Sequence, residues 1–217
     1  MVACATPECR KGFSPSWWKT PSGGPDKFSW EVLPPEANKC EVVLSKRNEL
    51  GLLSNFAPTP ITFHGYHYAS IEALWQVMLY PTGPLDRRAV AAKKKGLKYR
   101  FSRQQVAEMV GFEAKGAGEE AEDIMKQIGV DWVSYDGQVM PYRSKKPGKH
   151  YDLIVEALWA KVRQNPKVKD VLMSTGNLTL IPDHIMESDA PPEWHYNEIW
   201  MTIRDQIRRE QVQSIEN

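Results

Sequence analysis

No stretch of this 217-residue sequence approaches the roughly 18 consecutive apolar residues of a membrane span, which excludes a bilayer-crossing helix from the reading. The opening segment, MVACATPECRKGFSPSWWK, is also too poor in apolar runs for a secretory signal. Charge of one sign is missing as well. Lys and Arg total 28 against 27 Asp and Glu, so any contact with a polyanion must come from a local cluster rather than a global field. Cysteine is scarce: Cys4, Cys9 and Cys40, all before the expected core. An odd count without an export signal predicts reduced thiols and a cytoplasmic protein. Cys4 and Cys9 have no further pair of ligands at zinc-site spacing. Internal repeats are absent.

What is present suits a folded domain. Hydrophobic residues make up 41% and charged residues 25%, enough apolar content for one substantial core. Residues 1–39 are rich in Pro, Gly and Ser, with PSGGP and LPPE as loop signals. The aromatics Trp17, Trp18, Phe28 and Trp30 argue against disorder there and predict an extension that packs on the core. The core spans residues 40–212. It opens with the strand candidate CEVVLS, followed by PITFHGYHY, which reads as a hairpin about His64-Gly65. In SIEALWQVMLY, Ser70 is a plausible N-cap, and Ile71, Leu74, Trp75, Met78 and Leu79 recur at helical spacing. PLDRRAVAAKKKG predicts a second helix ended by Gly96. Two more helical patterns, over 103–112 and 117–128, are separated by glycine-containing breaks. YDLIVEALWAKVRQN has apolar residues around more than half its circumference and predicts a central, largely buried helix. KVKDVLMSTG and YNEIWMTIRDQIRRE complete the pattern. The expected fold class is α+β, a mainly helical single domain with a small antiparallel sheet near the start of the core.

Glu72 stands out within this pattern. It falls in the first turn of its helix, at the edge of the apolar face, with Gln76 one turn further on the same side. A first-turn carboxylate is favoured by the helix dipole, and that alone explains it if it only stabilises the helix. At the rim of a cleft, the same carboxylate is a functional group held ionised by the helix terminus.

The residues GLLSNFAPTPITFHGYHYASIEALWQ resemble the signature of the NADAR family, in which a Leu-Ser-Asn-Phe element precedes a hairpin and a helix carrying Glu and, four residues on, Gln. Here these are Leu53, Ser54, Asn55, Phe56, Glu72 and Gln76. Upstream, SKRNELG is similar to the family's Ser-Lys stretch at Ser45 and Lys46. Downstream, Asp131-Trp132, then Ala157, Leu158, Lys161 and Thr175-Gly176, then Asp189, Trp194 and Asn197 follow in the family's order. Three departures accompany the match. Ala73 replaces a frequent His, EWHYN lacks the glycines of the family's loop, and residues around 97–130 form an insertion.

The resemblance implies a NADAR-like fold and cleavage of an N-glycosidic bond at a ribose. The substrate it implies is a phosphoribosylamino-pyrimidine of riboflavin synthesis or an ADP-ribosyl-guanine. Such cleavage builds positive charge on the sugar, which a carboxylate stabilises; a carboxylate can also take the proton of the attacking water. Glu72 is the expected catalytic group, with Asp189 as second candidate. Lys46 and Arg47 are the expected phosphate contacts. Trp132 is the expected base-stacking ring, whereas Trp75 sits in the apolar stripe. Ser54, Asn55, Phe56, Gln76, Trp194 and Asn197 complete the expected binding set. The reading calls for no metal and no cofactor; His64 and His67 lack a third ligand. The expected partner is a small ribosyl or ADP-ribosyl N-glycoside, with ADP-ribosylated nucleic acid as an extension through the SKKPGK loop and no membrane. A binding module for ADP-ribose without turnover remains the alternative.

Overall fold

The computed structural model describes residues 7–20, 22 and 26–216. Cys4 and most of the PSGGP loop lie outside them. The fold is α+β, and no helix among the described residues is long and apolar enough to cross a membrane. The chain divides into two compact units.

The first unit gathers the described residues up to Ser54, Pro166–Ala190, and Trp194 onward. Its sheet pairs β1 (Glu41–Val43) with β6 (Thr179–Ile181) in parallel, register Val42↔Leu180. The strand candidate CEVVLS thus pairs in parallel with a strand far along the chain. Val42, Val43 and Leu180 are wholly buried, since both faces of this strand pair are covered. Helix α7 (Tyr196–Glu216) packs on β6, and α6 (Pro166–Ser174) packs against α7 and the turn Glu49–Leu53. Trp200 of α7 is buried and donates its indole N–H to the carbonyl of Leu53.

The N-terminal segment is tied into this unit. Trp17 and Trp18 are buried, and the Trp18 indole donates to the Glu41 carbonyl at 2.8 Å. Arg10 lies over the Trp18 ring and donates to the carbonyls of Ala37 and Asn38. Phe13 fills the space beside Gly176, where a Cβ would meet its ring. Cys9 and Cys40 form a disulfide. This corrects the expectation of reduced thiols and removes the ground on which a cytoplasmic location was expected. Cysteine parity was the wrong guide, because two of the three cysteines pair and the count says nothing of which ones meet.

The second unit is Asn55–Asn165 with Pro191–Glu193. It begins with the hairpin β2 (Ile61–Phe63) and β3 (Tyr66–Tyr68), register Phe63↔Tyr66. His64 and Gly65 both take positive φ, 47° and 82°, as a two-residue turn with the right twist requires. Then come α1 (Ile71–Val77), α2 (Arg87–Lys94) and α3 (Arg103–Ala107). α4 (Gly111–Ile128) is one continuous helix, so the expected break is absent. Its glycines do not end it because α4 packs along α1, and tertiary contact outweighs a propensity deficit of about 1 kcal/mol per glycine. A second hairpin follows, β4 (Trp132–Tyr135) and β5 (Gln138–Pro141), turning at Asp136-Gly137, before α5 (Lys149–Gln164). Only one side of α5 is fully buried, through His150, Ile154, Ala157, Leu158, Lys161 and Val162. Tyr151, Val155 and Trp159 remain half-exposed, so the helix is less central than its apolar content predicts.

Candidate functional site

The α1 helix is anchored at its start by side chain and backbone together. Ser70 caps it, accepting from the Ala73 amide at 3.0 Å and donating to the Met109 carbonyl at 3.1 Å. The Glu72 amide donates to the Asn55 carbonyl at 2.9 Å, which ties Asn55 to the first turn of α1. Glu72 is only 6% exposed, deeper than the rim position expected of it. Gln76, equally buried, donates its amide N–H to Glu72 Oε1 at 2.7 Å. The Gln76 amide in turn fits into the gap left by Gly118 of α4, where a Cβ would overlap it. The oxygens Asn55 Oδ1 and Gln76 Oε1 are buried with no hydrogen-bond partner among the described residues. Glu72 is thus held by a donor from Gln76, while Asn55 Oδ1 is a buried acceptor of the kind that a ligand's donor group would satisfy. Phe56, next to Asn55, meets Phe112 edge to face at 5.1 Å, and Phe112 is largely exposed.

The remaining expected residues of this unit fare differently. Trp132 opens β4, and the neighbouring Ser134 amide bonds the Met78 carbonyl, at the far end of α1. Six residues separate Met78 from Glu72, a rise of about 9 Å. One face of Trp132 carries the Arg88 guanidinium at 4.6 Å. Arg88 is fully buried and bonds Asp86, the Met78 carbonyl and Ser134, so this corner is a closed polar network. Burial pushes Asp86 up, yet the hydrogen bonds from Arg88 and Thr82 outweigh it and hold the carboxyl well below its ordinary range.

In the first unit, both expected phosphate cations are engaged by carboxylates. Lys46 bonds both oxygens of Asp183, at 2.7 and 2.6 Å. Arg47 forms a two-point pair with Glu31, at 2.6 and 2.7 Å. Burial pushes Asp183 up, but His184 and Lys46 more than offset it, and the net value is lowered. The hydrogen bond from Arg47 likewise lowers Glu31. A phosphate would have to displace these pairs. Ser54 is buried, its amide donating to the Gly51 carbonyl at 3.0 Å. Asn197 is buried and donates to the Leu180 carbonyl at 3.0 Å. Trp194 is half-buried, and Asp189 is exposed in the loop after β6.

Of the expected set, the structure therefore brings together Asn55, Phe56, Glu72 and Gln76. Trp132 belongs to the other end of α1. Lys46, Arg47, Ser54, Asp189, Trp194 and Asn197 belong to the first unit.

Two groups escaped sequence reasoning as functional candidates. Lys161 is fully buried, and that burial pushes its ammonium down to about 7. A signal existed: Lys161 lies at helical spacing from Ile154, Ala157 and Leu158, a charge on an apolar face. His150 and Glu193 form a second buried group, Nδ1 to Oε1 at 3.0 Å, with the imidazole ring 5.1 Å from that of Trp75. Its Nε2 has no hydrogen-bond partner among the described residues. Nothing local in the sequence joins residues so far apart.

No family model matches the sequence, and no curated protein matches it either. Among solved structures, the NMR structure of the E. coli protein YbiA is similar at a TM-score of 0.44 and 15% identity. The match covers 77% of this chain and 84% of that one. A likeness of that degree fixes neither family nor activity.

Proposed function

We propose that the chain is an N-glycosidase acting on a ribosyl or ADP-ribosyl N-glycoside, with Glu72 as the catalytic carboxylate. The observation that carries this reading is the buried Glu72 side chain, oriented by the Gln76 amide, with the backbone of Glu72 bonded to the Asn55 carbonyl. Holding a carboxylate out of water costs free energy, and a sugar carbon that becomes electron-poor returns it at the transition state. In the reaction the base leaves with the C–N bonding pair, and positive charge develops on the ribose C1′ and ring oxygen. Water then adds to C1′, and Glu72 takes its proton. Asn55 Oδ1 suits a ribose hydroxyl, which donates where the amide oxygen accepts. Gln76 is a positioning residue, because it holds the carboxylate rather than the substrate.

The test is a chromatographic screen with ADP-ribosyl-guanosine, ADP-ribosylated DNA and phosphoribosylamino-pyrimidines. Release of the nitrogen-bearing fragment (guanosine, unmodified DNA or the aminopyrimidine) together with ADP-ribose or ribose phosphate is expected from one of them. Glu72→Gln should reduce that rate by at least about 100-fold while retaining binding; a variant that turns over at the parental rate overturns the assignment. A polynucleotide substrate would show affinity falling steeply with salt, and a free metabolite much less so.

One observation favours a second reading, recognition of ADP-ribose without turnover. Asp189, the expected second carboxylate, is exposed and makes no described hydrogen bond. Calorimetric binding of ADP-ribose with no product from any substrate would select it.

A further inference from the structure

The near-neutral total of the chain conceals an uneven distribution. Residues 87–107, RRAVAAKKKGLKYRFSRQQVA, hold eight of the 28 Lys and Arg and none of the 27 Asp and Glu. The rest of the chain is left with 20 basic residues against 27 acidic ones. The segment covers α2, the loop after it and α3, all within the second unit. Two of its arginines serve the fold. Arg88 is fully buried in the Asp86–Ser134 network, and Arg103 donates to the carbonyls of Tyr80 and Ser134, each at 2.8 Å. The other six, Arg87, Lys93, Lys94, Lys95, Lys98 and Arg100, are exposed. Lys95 reaches the Gln127 carbonyl, and Arg100 pairs with Glu120 of α4. Arg87, Lys93, Lys94 and Lys98 make no ion pair among the described residues. Asp86, next to Arg87 in the chain, is already held by Arg88 and Thr82.

Helix stabilisation accounts for only part of this cluster. Lys93 and Lys94, in the last turn of α2, complement its dipole. Arg87 opens the same helix, where the dipole disfavours a cation, and Lys98 and Arg100 lie beyond its end. Arg87 and Lys94, seven residues apart, share one side of α2. The Leu97 amide donates to the Ala92 carbonyl at 2.9 Å, which turns the chain back at the end of α2 and keeps Lys98 with the other cations.

We propose that this surface binds the phosphate backbone of a nucleic acid without reading its sequence. Charge complementarity names the occupant. Cations gathered without carboxylates repel one another on the free protein, and a row of phosphates relieves that repulsion while releasing its own counterions. The run Lys98-Tyr99-Arg100-Phe101 alternates cation with aromatic ring; Tyr99 and Phe101 are half-exposed, and the Arg100 guanidinium lies 4.9 Å from the Phe101 ring. Such interleaving suits a polynucleotide, which offers bases as well as phosphates. An anionic bilayer fits less well, because α2 turns Arg88 and Ala92 inward and has no broad apolar face to lay among lipids. The inference does not rest on turnover at Glu72.

Fluorescence anisotropy of a labelled DNA duplex of about 20 base pairs, titrated with the full chain at about 50 to 200 mM salt, reads the contact. Four cations on phosphates predict a log–log salt slope of about −4 and about a 100-fold loss of affinity across that range. Lys93→Ala combined with Lys94→Ala should weaken binding at the lowest salt by at least about 10-fold and flatten the slope by about 2. Lys145→Ala combined with Lys146→Ala makes the same change in net charge in the SKKPGK loop, and should leave both quantities near wild type. All four positions are exposed, and unchanged thermal melting will establish that each variant is folded. A wild-type chain that leaves the duplex free overturns the proposal, whether or not it sediments with phosphatidylserine vesicles. So does equal weakening in the two double variants, which would make net charge rather than this surface the cause.

Discussion

Burial brings the titration of Lys161 into the neutral range. With the ammonium fully buried, its folded-state value falls from 10.5 to about 7. Between those two values the unfolded chain binds a proton that the folded chain does not, so stability rises with pH across that window. Below about pH 7 both states bind it, and the contribution levels off at its least favourable. Urea denaturation at pH 7, 8 and 9 should therefore show stability increasing, by at most about 1.4 kcal/mol per pH unit. Lys161→Met should flatten the profile. At this scale the site was partly legible. Glu72 and Gln76 were readable because a helix brings positions four apart to the same side, and their hydrogen bond follows from that alone. The pairing of Lys46 with Asp183 was not readable, because its partner lies in a distant segment and ion pairs leave no periodic trace.

At the scale of elements, the contact between α1 and α4 controls the candidate site. Gly118 is the point at which α4 admits the Gln76 amide. Gly118→Ala should displace that amide, break its bond to Glu72, and cost about 1–3 kcal/mol through overpacking. Thermal denaturation measures the cost. The intrinsic gain of alanine over glycine in a helix, about 1 kcal/mol, opposes it, so the net sign tests whether packing or propensity dominates here. The same contact accounts for Gly118, whose missing side chain leaves room for the Gln76 amide, whereas nothing lies within 4 Å of the Cβ that Gly116 lacks. The β2–β3 hairpin was legible from His64-Gly65. The β4–β5 hairpin carries an equally local signal in Asp136-Gly137, both at positive φ. The parallel pairing of β1 with β6 offers no such signal, since nothing near either strand specifies the other.

At the scale of the whole molecule, the Cys9–Cys40 disulfide closes a loop of 31 residues within the first unit. In the chain-entropy account, a loop of this length contributes about 3–4 kcal/mol by restricting the unfolded chain. A reducing agent, or Cys40→Ser, should lower the melting temperature. A melt indifferent to reductant would show that the buried contacts of Trp17 and Trp18 suffice to hold the segment. The α+β class was legible from periodicity, which depends only on the spacing of apolar residues. Division into two units was not, because one of them is assembled from three separate stretches of chain.

That interleaving has a consequence for synthesis. By the time Asn165 is added, the second unit has all its residues except Pro191–Glu193. Strand β1 is made early, yet its hydrogen-bonding edge waits for β6, and β6 is translated only after every helix of the second unit. During elongation Val42 and Val43 therefore lack the neighbour that will cover them, and the ribosome's progress sets how long that apolar edge stays open.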